Sequence, residues 1–90
     1  LFHPIANSAN YPGNYSVFQH RNTLYIKGKV VPNTYATLYD MTGKPIIRSR
    51  LEVSLLNEVT LPPVAQGIYL LRIYQEGKSV VIKLPLRQTK

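Results

Sequence analysis

The chain has 90 residues, and eleven Lys and Arg against four Asp and Glu give it a formal charge of +7. It has no cysteine, which excludes disulfide staples, thiol catalysis and thiolate metal sites. At 44% hydrophobic and 17% charged residues it is not a disordered basic tail, and no apolar run approaches the roughly 18 residues of a membrane helix.

Residues 1–14 read as a linker. His3-Pro4, Asn7-Ser8-Ala9-Asn10 and Tyr11-Pro12-Gly13-Asn14 are turn and breaker residues without periodicity. The stretch lacks the basic and apolar regions of a secretory signal. It is expected to tether the domain, residues 15–90, to something preceding it, in keeping with a chain that begins at Leu1.

Beyond the linker every segment reads as a strand. Short runs rich in Val, Ile, Thr and Tyr alternate with turn residues, and none sustains a helical period. Strands are expected at residues 15–19, 23–27, 34–40, 44–51, 56–61, 68–75 and 79–86. Val31-Pro32-Asn33 breaks the second from the third. Gly43 and Gly77 supply the positive φ that tight hairpins need. Leu61-Pro62-Pro63-Val64 forbids a regular ladder and marks a crossing between sheets. The fold expected is an all-β, antiparallel β-sandwich of about seven strands.

Alternation assigns the faces. Ala36 and Leu38 point one way, Tyr35, Thr37 and Tyr39 the other. Tyr69, Leu71 and Ile73 alternate with Ile68, Leu70 and Arg72, and the arginine marks the wetter row. Val80, Ile82, Leu84 and Leu86 oppose Val81, Lys83 and Pro85. Because a proline cannot donate to a ladder, the last strand belongs at a sheet margin, or frays there. Ile46-Ile47 leaves its inward residue undecided.

Catalytic chemistry is scarce. Asp40, Glu52, Glu58 and Glu76 are the only carboxylates, and nothing in the sequence pairs two of them around a substrate. His3 and His20 show no metal-ligand spacing. No nucleophile elbow surrounds any serine and the glycines form no phosphate loop. Neither an enzyme nor a cofactor is expected. The basic residues interleave with Tyr25, Tyr35, Tyr39, Tyr69 and Tyr74, as a single-strand nucleic-acid platform would require. Strands favour tyrosine in any case, edge lysines suppress aggregation, and no RNA-binding signature is present. Nucleic acid is therefore not the expected partner.

Three motifs in the second half carry a resemblance. Tyr39-Asp40-Met41-Thr42-Gly43-Lys44 resembles the YDLTGR hairpin of the C-terminal sorting domains of the type IX secretion system. Leu61-Pro62-Pro63-Val64-Ala65-Gln66-Gly67-Ile68-Tyr69-Leu70-Leu71-Arg72-Ile73 is similar to the segment that opens that family's penultimate strand. Gly77-Lys78-Ser79-Val80-Val81-Ile82-Lys83-Leu84 resembles its terminal strand. The order and spacing are the family's, over roughly the last half of the chain.

The resemblance implies an immunoglobulin-like sandwich at the end of a longer, passenger-bearing protein of a Gram-negative bacterium. Such a protein passes through the periplasm and is then recognised by the outer-membrane translocon. It reaches the cell surface or the medium. A surface sortase cuts in front of the domain in most cargo and joins the cargo to anionic lipopolysaccharide. By position, Asp40, Thr42 and Gly43 shape the hairpin. Gly67 provides a turn that a Cβ would obstruct, and Tyr69 fills the core. Lys78, Val80, Val81, Ile82, Lys83 and Leu84 form the sorting signal proper, with an exposed edge suited to pairing. Pro85 and the extension Arg87-Gln88-Thr89-Lys90 depart from the family pattern, which fits a surface component that keeps the domain. The alternative is an immunoglobulin-like binding module that grips anionic lipopolysaccharide, another glycan or a protein through its basic face. An open edge also offers a route to a dimer.

Overall fold

A computed structural model describes residues 15–89; the expected linker, residues 1–14, lies outside them. Seven strands follow in chain order: β1 (Ser16–His20), β2 (Thr23–Lys27), β3 (Thr34–Tyr39), β4 (Pro45–Leu51), β5 (Leu56–Thr60), β6 (Gly67–Gln75) and β7 (Lys78–Leu86). Each grows from a run whose inward residues are apolar or β-branched, Asn57 of β5 excepted, the composition that suits a pleated, half-buried surface. Every pairing is antiparallel. One sheet has the order β1-β2-β5 and the other β4-β3-β6-β7. The chain crosses between sheets after β2, β4 and β5, the last crossing through Pro62 and Pro63.

Lettered in chain order, the first, second and fifth strands share a sheet, as in an immunoglobulin sandwich. The fourth differs from the constant-type arrangement, where it completes that same sheet. Here β4 turns back on β3 and lies at the margin of the opposite sheet. The cause is local: the connection between them is only Asp40–Lys44, too short to cross the core, and it is closed by Gly43 N–H to the Asp40 carbonyl and by Asp40 N–H to the Lys44 carbonyl, both at 3.0 Å.

The core lies between the sheets. Val17, Leu24, Ile26 and Val59 enter it from the three-stranded side, Leu38, Leu71, Ile73, Ile82 and Leu84 from the four-stranded side. Burying a side chain of this size stabilises the fold by about 1.5–3 kcal/mol before ordering costs. The alternation anticipated for β3, β6 and β7 is observed throughout. Ile46 and Ile47 are both half-buried and packed on the core. A β-bulge explains it: Leu38 pairs with Ile47 but Tyr39 with Pro45, so Ile46 is the extra residue.

Among the described residues three polar ones are buried, Thr34, Asn57 and Thr89, and each is satisfied. Thr34 Oγ1 donates to the Val31 carbonyl at 2.7 Å. Asn57 accepts from Glu52 N–H at 2.7 Å and donates to its carbonyl at 3.1 Å, closing the β4–β5 loop. Among the described residues no buried side-chain nitrogen or oxygen lacks a partner, as the cost of an unpaired buried group requires.

Candidate recognition surfaces

The C-terminal strand β7 pairs with β6 without interruption, from Gln75–Lys78 to Gly67–Leu86. The turn between them is Glu76-Gly77, with φ of 50° and 76°, the double positive φ of a tight hairpin whose twist matches its strands. Among the described residues β7 has no partner on its other side, so Pro85 occupies a position where a missing donor costs no ladder bond. The strand lies at a sheet margin, and its paired length runs through Pro85 without fraying.

The six residues assigned to the signal divide between two faces. Val80, Ile82 and Leu84 are 6%, 0% and 1% exposed, and pack in the core. Lys78, Val81 and Lys83 are exposed. Only these three, with the strand's outer backbone edge, are available to a receptor. Period-two geometry commits the row Val80, Ile82 and Leu84 to the interior, the row that the alternation set apart from Val81 and Lys83.

Beyond β7 the chain is tied down. Gln19 of β1 accepts from Arg87 N–H at 2.7 Å and donates to the Arg87 carbonyl at 3.1 Å, the two bonds a neighbouring strand would make. Thr89 Oγ1 accepts from Val64 N–H at 2.7 Å and donates to the Pro62 carbonyl at 2.8 Å. Thr89 N–H donates to the Val64 carbonyl at 3.1 Å. The terminal extension thus seals the end of the sandwich between β1 and the proline crossing. Neither Gln19 nor Thr89 carries a signal in the sequence, because the bonds that anchor the tail reach residues far along the chain.

In the hairpin, Asp40 Oδ1 accepts from Thr42 N–H at 2.9 Å, Thr42 Oγ1 at 2.6 Å and Lys44 N–H at 3.0 Å. These bonds favour the carboxylate, and the Thr42 hydroxyl and Lys44 amide hold the Asp40 pKa below its ordinary value. Gly43 has φ 91° with open space around it, so its requirement is conformational.

Tyr69 is buried, with its hydroxyl donating to the Ala65 carbonyl at 2.6 Å. Gly67 differs from expectation. It is the first residue of β6, it is not among the glycines with positive φ, and an added Cβ would meet only Tyr69 Cε1 at 3.9 Å. No turn there requires glycine. The position that does is Gly28, with φ 150° and an added Cβ only 2.9 Å from Tyr15 Cδ1.

No group of three or more His, Asp or Glu able to hold a metal occurs among the described residues. No helix is long and apolar enough to cross a membrane. What the sandwich does present is a paired, anchored terminal strand and an Asx-type hairpin. The family model of the secretion system C-terminal sorting domain matches residues 20–87, and the chain belongs to that family. It is a C-terminal sorting domain of the type IX secretion system, a family of signal domains and not of enzymes. Comparison with curated proteins and with solved structures returns no significant match.

Proposed function

We propose that the domain is the export signal of a larger passenger, and that the outer-membrane translocon reads it at β7. The family match over residues 20–87 carries this reading. Lys78, Val81 and Lys83 are the contacts offered to the receptor, together with the open backbone edge, a ready template for an added strand. Val80, Ile82 and Leu84 hold that edge in register from the core side. Asp40, Thr42, Gly43 and Tyr69 serve the shape of the domain.

The direct test fuses residues 1–90 to a periplasmic reporter in a strain with a working type IX system. The reporter is expected at the cell surface or in the medium; one that stays in the periplasm overturns the reading. Residues 1–14 are proposed as the tether in which a surface sortase cuts, before the passenger is joined to anionic lipopolysaccharide. Intact-mass measurement of the surface protein decides that part. A passenger lacking the sandwich supports cutting, and an uncut chain that keeps Arg87-Gln88-Thr89 supports a resident surface component.

A further inference from the structure

The outer face of the four-stranded sheet gathers positive charge in a way the edges do not explain. Register places Arg50 beside Tyr35 and Tyr35 beside Tyr74, Arg48 beside Thr37 and Thr37 beside Arg72, and Leu70 beside Lys83. Four cations therefore share the face. None of the four carboxylates lies in a strand of this sheet: Asp40 is folded into its own turn, Glu52 follows β4, Glu58 lies in β5 and Glu76 in the β6–β7 turn. Charged residues at sheet margins prevent edge-to-edge aggregation, but Arg72 sits in β6, an interior strand. Two arginines flanking Thr37 at neighbouring-strand spacings stand about 10 Å apart, with no acid between them to relieve their repulsion.

The geometry is also preorganised. The Arg48 guanidinium lies 4.4 Å over the Tyr35 ring, a cation–π contact that fixes its plane while leaving N–H groups at its rim. An open hollow of about 440 Å³ lies against Tyr35, Thr37, Tyr39, Arg48, Arg72 and Tyr74, within the size range of small-ligand sites. Tyr35 and Tyr39 are half-buried and Tyr74 is exposed on this face.

We propose that this face binds an anionic saccharide, a sugar chain carrying phosphate, sulfate or carboxylate groups. Arg48 and Arg72 hold its anionic substituents, and Thr37 and the three tyrosines serve its hydroxyls. A guanidinium fork matches such oxyanions bidentately. An acidic peptide is the weaker fit, because peptides join sheets at the edges through backbone bonds and this face offers side chains alone. A single-stranded nucleic acid needs free ring faces for its bases, and Arg48 already covers that of Tyr35. The proposal is independent of the export reading, which a reporter fusion tests and a binding measurement does not.

Calorimetric titration of the chain with a sulfated dextran oligosaccharide, at an ionic strength of about 0.15 M, tests it. Saturable binding is expected, with none to the unsulfated dextran. The double variant R48Q/R72Q is expected to lose affinity by about tenfold or more, while K27Q/K29Q, which removes the same charge elsewhere, changes it less than about threefold. R48K/R72K keeps the charge but not the planar fork, and is expected to bind several-fold more weakly even where the glutamine variant does not fold. Equal losses from R48Q/R72Q and K27Q/K29Q would overturn the proposal. So would unsulfated dextran, polyglutamate or a thymidine oligonucleotide binding as tightly as the sulfated dextran, or R48K/R72K binding as the parent does.

Discussion

The two margins of the four-stranded sheet are built from similar material and behave differently. At one margin β7 runs nine residues in unbroken register, turns Val80, Ile82, Leu84 and Leu86 inward, and is followed by a tail bonded to Gln19, Pro62 and Val64. At the other, β4 starts at a proline, carries a bulge at Ile46 and fully buries Leu51 alone. A margin becomes firm when its inward row is continuous and its end is anchored; the bulged margin leaves Ile46 and Ile47 each half-buried. The firm margin is the one that the family reading assigns to recognition, so its outer edge is displayed on a rigid base.

The contrast is broken or sharpened most severely in the core. Ile82→Ala removes a side chain with no solvent exposure, and is expected to destabilise by about 2–5 kcal/mol. Ile47→Ala, on the half-buried β4 position, is expected to cost roughly half of that. Thermal or urea melts of the two variants decide; equal losses would erase the distinction between the margins. Next comes the anchor. Thr89→Ala leaves the Pro62 carbonyl and Val64 N–H short of a partner and is expected to cost about 1–3 kcal/mol, with faster hydrogen exchange at the end of β7 and none of that change in β4.

On the β4 side the expected effects are smaller. Asp40 has its pKa lowered by the folded hairpin, chiefly by the Thr42 hydroxyl. A depressed carboxyl stabilises the fold above its unfolded value, near about 4, and that contribution is lost as pH falls through the lower folded value. Asp40→Ala is therefore expected to flatten the acid limb of a stability-versus-pH curve and to loosen exchange in the β3–β4 hairpin, leaving β7 unchanged. Smallest of all, Gly67→Ala, opposite Leu86, is expected to alter the melting free energy by less than about 0.5 kcal/mol, since surface changes without strain rarely do more. Gly28→Ala is the control that must fall outside that range, because φ 150° and the Tyr15 ring both oppose a Cβ.

Much of this architecture was legible before any coordinates. The alternation in β3, β6 and β7 named their buried rows correctly because a strand's inward set depends on its own residues alone. Pro85 announced a margin and Pro62-Pro63 a crossing through the donor that proline lacks. Ile46-Ile47 was not legible, since the bulge that half-buries both is set by how β4 registers against β3. Gly67 was misread from its place at the head of a strand, where glycine so often serves a turn, while Gly28 gave no sign of the Tyr15 ring against it. Within the six-residue signal, the alternation had already set Val80, Ile82 and Leu84 apart from Val81 and Lys83, and the sheet buries the first set.

By itself the sequence determined the class of fold, the strands and their inward rows, and the motifs that mark the sorting family, because these rest on residues within a few positions of one another. Only the tertiary structure decided which sheet β4 joined, that Gln19 and Thr89 lock the terminal tail, and that Arg48 and Arg72 meet across Thr37. Those outcomes depend on register between segments far apart in the chain, and no local pattern of charge or hydropathy encodes a register of that kind.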